Sequence, residues 1–210
     1  MTGIDLKKPV LLFVLAWITG LLFLLDLAVN YGDPRQLIQT YSALSCLLMI
    51  ALFRRQARLA TMVFLIGLAT QPVWLLDLVL YKFGTGLGRT ALLAASGEAQ
   101  GVTASLLRIV LVPVSIIAVL KLGFDRKAFL PAIGLWAVLV FLAQWLTPAG
   151  LNVNCVFAPC DTVPAVAAGG GYFLKALVQG ALFITWISFL CGLVLALPQL
   201  VKERFHGHNA

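Results

Sequence analysis

The chain has 210 residues, of which 61% are hydrophobic and 11% charged, and a formal net charge of +7. A soluble domain carries roughly 25% charged residues, so this composition excludes an ordinary water-facing surface. The positive charge does not point to nucleic acid either, because it falls in short clusters between apolar runs, with no basic patch interleaved with aromatics.

Apolar runs of about 20 residues, the length needed to cross a bilayer core, recur along the chain at 9–28, 37–53, 59–81, 103–121, 129–148 and 172–198. Lipid offers the backbone no hydrogen-bond partners, so each run is predicted to be helical. The expectation is an all-α, polytopic integral membrane protein: six transmembrane helices in three hairpins, forming a single transmembrane domain over 1–210. The first run opens on Lys7-Lys8, as a signal peptide would, but its apolar stretch is too long and no small-x-small cleavage site follows. It reads as a retained first helix. Lys7, Lys8, Arg54, Arg55, Arg58, Lys121, Arg126, Lys127, Lys202 and Arg204 are ten of the fifteen basic residues, and six spans put them all on one side. The positive-inside rule makes that side cytoplasmic, with both termini inside, and a bacterial inner membrane is the expected location.

Helices 1 and 3 each carry an aspartate in a Leu-Leu-Asp-Leu context, Asp26 and Asp77. Ionisable groups at membrane depth are costly and usually face a protein interior or an aqueous cavity. Thr19, Phe23, Asp26 and Asn30 share one helical face, and Thr70, Trp74, Asp77 and Tyr81 repeat that spacing 51 residues later. Helix 5 gives a fainter echo in Phe141, Gln144 and Gly150. Internal repeats are common in transporter folds and line their binding sites; chance alignment of Leu-rich segments is the plainer account.

Further polar groups gather toward the predicted outer side. Arg108 lies a turn or so into helix 4, on a face with Ser105 and Ser115. Gln144 and Trp145 lie near the end of helix 5, and Lys175 opens helix 6 with Gln179 one turn below. Asp26 and Asp77 with Arg108 and Lys175 would form an outward-open charged vestibule, in which opposite charges offset part of each other's desolvation. Gln144, Gln179 and Trp74 would complete its lining. The competing account is that Lys, Arg and the acids near helix ends snorkel into headgroups, and that Trp74, Tyr81 and Trp145 are aromatic-belt anchors. Pro72 and Pro113, near Asp77 and Arg108, either shape a cavity or only kink their helices.

Two external loops are expected, at about 82–102 and 149–171. The second holds Cys155 and Cys160, with four residues between them including Pro159, on the side where disulfides persist. A structural disulfide is the first reading. Free thiols or a metal site rank below it, and redox catalysis ranks last because no Cys-x-x-Cys pair is present. Cys46 and Cys191 fall inside helices as small apolar residues. His206 and His208 lie in a predicted cytoplasmic tail without carboxylate support, so no metal site is assigned. No cofactor is implied. The stretch GTGLGRT at 84–90 lacks the Lys-Ser/Thr ending of a phosphate loop. Ser105, Ser115 and Ser188 have no adjacent general base. Small residues in helix 6, Gly180, Ser188, Cys191 and Gly192, permit close helix packing within the chain or in a dimer.

Three functional classes follow. The first is binding or transport of a small solute, ion or lipid headgroup in the vestibule. The second is an accessory subunit that docks a partner membrane protein or a second copy. The third is an intramembrane enzyme on a lipid-linked substrate, with Asp77 as acid/base and Arg108 holding a phosphate or carboxylate. The apolar inner half counts against a continuous permeation path, and the lack of a nucleophile or metal set counts against the enzyme. Membrane lipids are the one partner the composition itself implies.

Overall fold

A computed structural model of the chain describes residues 7–31, 38–82, 99–146 and 171–206, with side chains described within 9–31, 38–71, 102–146, 173–192 and at 194. All regular structure among the described residues is helical: α1 (Lys7–Val29), α2 (Thr40–Phe53), α3 (Ala57–Lys82), α4 (Ala99–Leu122), a 3-10 turn (Arg126–Ala128), α5 (Phe129–Leu146) and α6 (Gly171–His206). Four segments are long and apolar enough to cross a membrane: Pro9–Val29, Val102–Leu122, Arg126–Leu146 and Phe173–Gly192. Thr40–Phe53 and Ala57–Gln71 are shorter apolar stretches. At 1.5 Å per residue, the 14 residues of α2 span about 21 Å, short of a bilayer core of about 30 Å.

Helix boundaries differ from expectation in three places. α4 begins at Ala99, inside the predicted loop 82–102, so Arg108 lies about 13 Å along its helix rather than a single turn. Ala99-Gln100-Gly101 is too weakly apolar to register as a span, yet nothing in it stops a helix. α6 continues past Pro198 through Lys202-Glu203-Arg204, good helix formers, so that His206 ends the helix rather than lying in a tail. α2 opens at Thr40 instead of 37.

The predicted hairpin partners pack together: α1 on α2, α3 on α4, and α5 on α6. α3 is the hub, touching α2, α4, α5 and α6. Its residues Val63 to Ile66 are buried in succession, which requires neighbours on every side. Leu12 and Ala16 of α1, Leu44 and Leu48 of α2, Leu111 and Ala118 of α4, Ala132 and Val140 of α5, and Ile184 of α6 join them in one core. The outward faces are as apolar as the core. α1 exposes Val10, Phe13, Trp17 and Leu21, and α6 exposes Leu182, Trp186, Phe189 and Val194. Faces of this kind suit lipid, not water.

Where small residues meet large ones, the helices close up. The indole of Trp136 in α5 lies against the Gly180 backbone of α6, so a Cβ at 180 would overlap it. The helix-opening turns on the basic side also lock together. The Asp125 amide donates to Thr61 Oγ1 of α3 at 3.1 Å, and Phe124 meets Phe64 edge-on at 6.4 Å. The loop bearing Arg126 and Lys127 is thereby pinned beside the turn bearing Arg54 and Arg55.

Candidate functional site

The cluster forms at the far end of the bundle from those basic turns, about 28 Å along α1 from Lys7. Asp26, in the last turn of α1, has no exposed surface. Ser42 Oγ, in the first turn of α2, donates to Asp26 Oδ2 at 2.6 Å. Asn30 Nδ2, one turn beyond Asp26, donates to Oδ1 at 3.0 Å and to the Asp26 carbonyl at 2.9 Å. The Thr103 hydroxyl of α4 also hydrogen-bonds the carboxylate. Asn30 and Thr103 are themselves buried. The carboxylate thus faces the opening turn of α2, whose backbone dipole favours an anion.

Arg108 supplies the opposite charge. It is partly buried, acts electrostatically on Asp26, and places its guanidinium carbon 4.5 Å from the centre of the Tyr41 ring. A cation over an aromatic face beside a carboxylate is held by both the ring quadrupole and the opposite charge. Three helices therefore contribute to one knot: Asp26 and Asn30 from α1, Tyr41 and Ser42 from α2, Thr103 and Arg108 from α4.

The other predicted residues are distributed differently. The side chains of Asp77 and Trp74 lie outside the described residues, as do Cys155 and Cys160. Lys175 and Gln179 sit at exposed positions of α6, which packs on α3 and α5, whereas α1 packs on α2 and α4. Gln144 Oε1 is buried without a hydrogen-bond partner, as is Trp136 Nε1, two turns earlier on α5. Trp145 is 74% exposed and stacks on Phe141 at 5.1 Å, as an interface anchor would. Cys46 and Cys191 are free and half-buried.

Of the predicted face of α1, Thr19, Asp26 and Asn30 are buried and Phe23 is half-buried. Thr19 and its counterpart Thr70 both return a hydrogen bond to the carbonyl four residues back, at 2.8 and 2.9 Å. Thr61, Ser45 and Thr185 do the same, so this echo does not distinguish a repeat. Ser42, Tyr41 and Thr103 were not legible as site residues; the one signal was the polar run Gln39-Thr40-Tyr41-Ser42 opening an otherwise apolar helix.

Among the described residues no three His, Cys, Asp or Glu side chains converge as a metal site would require. What the arrangement offers is a carboxylate held by hydroxyl and amide donors, with a guanidinium nearby over an aromatic ring. No known protein family, curated protein or solved structure matches the chain.

Proposed function

We propose that the chain is a multi-pass protein of the bacterial inner membrane, with its basic turns and both termini in the cytoplasm, that binds a small polar solute, ion or lipid headgroup at the Asp26–Arg108 cluster. The observation that carries this reading is the Asp26 carboxylate, wholly buried yet hydrogen-bonded by Ser42 and Asn30 and set near a guanidinium. Such a group costs free energy in a membrane, and binding or coupling is the common reason for its presence. A ligand would exchange for the Ser42 and Thr103 hydroxyls on the carboxylate and draw on Arg108 for counter-charge. On the repeated spacing alone, Asp77 and Trp74 are assigned to this site as well. Gln144 offers an unsatisfied buried acceptor, and Lys175 with Gln179 would form its rim. Between the cluster and the basic end the core is Leu48, Leu52, Leu65, Ile66 and Leu111, which favours binding at one end over passage through a single copy. Cys155 and Cys160 would be joined as a disulfide on the same side; labelling of both thiols after denaturation without reductant would contradict that.

The test is native mass spectrometry of the gently solubilised chain. A bound small molecule or lipid should remain on the wild type and be lost from Asp26→Asn and Arg108→Ala variants that still elute as folded protein. Retention by Asp26→Asn would overturn the reading. A second reading, an assembly subunit, is favoured by Asp26 being already satisfied within its own chain, as an interhelical fastener would be. It predicts a stoichiometric protein partner and no small ligand.

A further inference from the structure

The opposite end of the bundle carries charge of another kind. Arg54, Arg55, Arg58, Lys121, Arg126 and Lys127 are all exposed, and among the described residues no ion pair engages any of them. The hydrogen bond from Asp125 to Thr61 and the Phe64–Phe124 contact hold the two loops that bear them side by side. Among the residues there whose side chains are described, the one acid is Asp125, and its Oδ1 accepts from the Lys127 amide at 2.8 Å. α3 and α5 both begin at this surface with no acidic residue in their first turns.

Arg55 carries the strongest sign that this charge is retained for use. α2 ends in a Schellman arrangement: the Gln56 amide donates to the Ala51 carbonyl at 2.9 Å and the Arg55 amide to Leu52 at 3.3 Å. That motif puts residue 55 in the left-handed region, at φ 52°, where glycine is the usual occupant. At the same end of the molecule α4 follows the rule, closing on Gly123 at φ 99°. An arginine held at a glycine position is strain kept in place, a pattern concentrated at functional sites.

Directly beneath these cations lies an exposed aromatic cluster. Phe13, Trp17 and Phe53 meet edge-to-face with ring centres 5.9–6.1 Å apart, and Phe53 immediately precedes Arg54. Cations over exposed aromatics fit an amphiphile whose anionic phosphate sits above glycerol and acyl carbons. We infer that this end of the bundle is a binding surface for the headgroups of anionic phospholipids. The inference stands on residues separate from the Asp26 cluster and survives or falls independently of it.

The experiment titrates the purified full chain in nonionic detergent with dioleoyl phosphatidylglycerol or dioleoyl phosphatidylcholine, counting retained lipid by native mass spectrometry. The wild type should retain phosphatidylglycerol preferentially, with retention falling as sodium chloride rises. Each surface cation contributes about fivefold in affinity, so Arg54→Gln/Arg58→Gln/Lys127→Gln should bind on the order of a hundredfold more weakly. The matching Arg54→Lys/Arg58→Lys variant, with Lys127 kept, should bind within a few-fold of wild type. Equal retention of both lipids, insensitivity to salt, or an unchanged triple Gln variant would each overturn the inference. Displacement of phosphatidylglycerol by millimolar inorganic phosphate would also overturn it, since the surface would then read free phosphate.

Discussion

The two ends of this bundle use charge in opposite ways. At one end a carboxylate is withdrawn from solvent and a guanidinium is partly so, beside Ser42, Asn30, Thr103 and Tyr41. At the other, six cations stand in the open. The difference shows what burial does to the meaning of a charge. A buried charge must be answered within the chain, residue by residue, and its removal is felt by the fold. An exposed one leaves the fold indifferent and is free to answer something outside it.

The largest expected effect comes from breaking the buried end. Asp26→Ala leaves Arg108, Ser42 and Asn30 facing a void, and should destabilise the protein by about 3–5 kcal/mol, seen as a fall in the unfolding temperature in detergent. Gly180→Val tests packing remote from both ends. It drives a side chain into the Trp136 indole and should cost about 1–3 kcal/mol in the same assay. Ser42→Ala removes one charge-assisted donor and should cost about 1.5–3 kcal/mol, or less if Thr103 moves into its place. A value near zero would mean that the Asp26 carboxylate is answered elsewhere. Arg55→Gly sharpens the contrast by changing sign: relief of the left-handed strain should stabilise by about 1 kcal/mol, while retention of phosphatidylglycerol falls. Arg54→Gln should be the smallest, with no measurable change in unfolding temperature. A large loss there would erase the distinction between the ends.

The helices were legible because each is an apolar run between polar or basic breaks, and the face of α1 because Thr19, Asp26 and Asn30 recur at helical spacing. The partners on other helices were not. Ser42 and Thr103 are ordinary helix hydroxyls, and Thr61, Thr70 and Ser115 show what such groups do by default: they bond back to their own helix. Which hydroxyl instead crosses to a carboxylate depends on helix rotation and depth, and neither is written in one helix alone. Arg108 was legible as a cation within a helix but was placed too near its start, because that start is concealed in Ala99-Gln100-Gly101. The Arg55 conformation was not read from the sequence: Arg54-Arg55-Gln56 contains no glycine or asparagine to mark a left-handed position.

The shortness of α2 bears on how the chain enters a membrane. Its 14 residues open on Thr40, Tyr41 and Ser42, a poor candidate to partition into lipid alone. α1 carries an aspartate whose insertion costs about 2.5–3.5 kcal/mol at mid-membrane and less toward the helix end where Asp26 lies. The hydrogen bond between Asp26 and Ser42 joins these two liabilities, so that each helix masks what makes the other hard to insert. For the membrane protein proposed above, this pairing predicts that α1 and α2 enter the bilayer together as one hairpin, so that Ser42→Ala lowers the inserted fraction of α1 in an insertion assay.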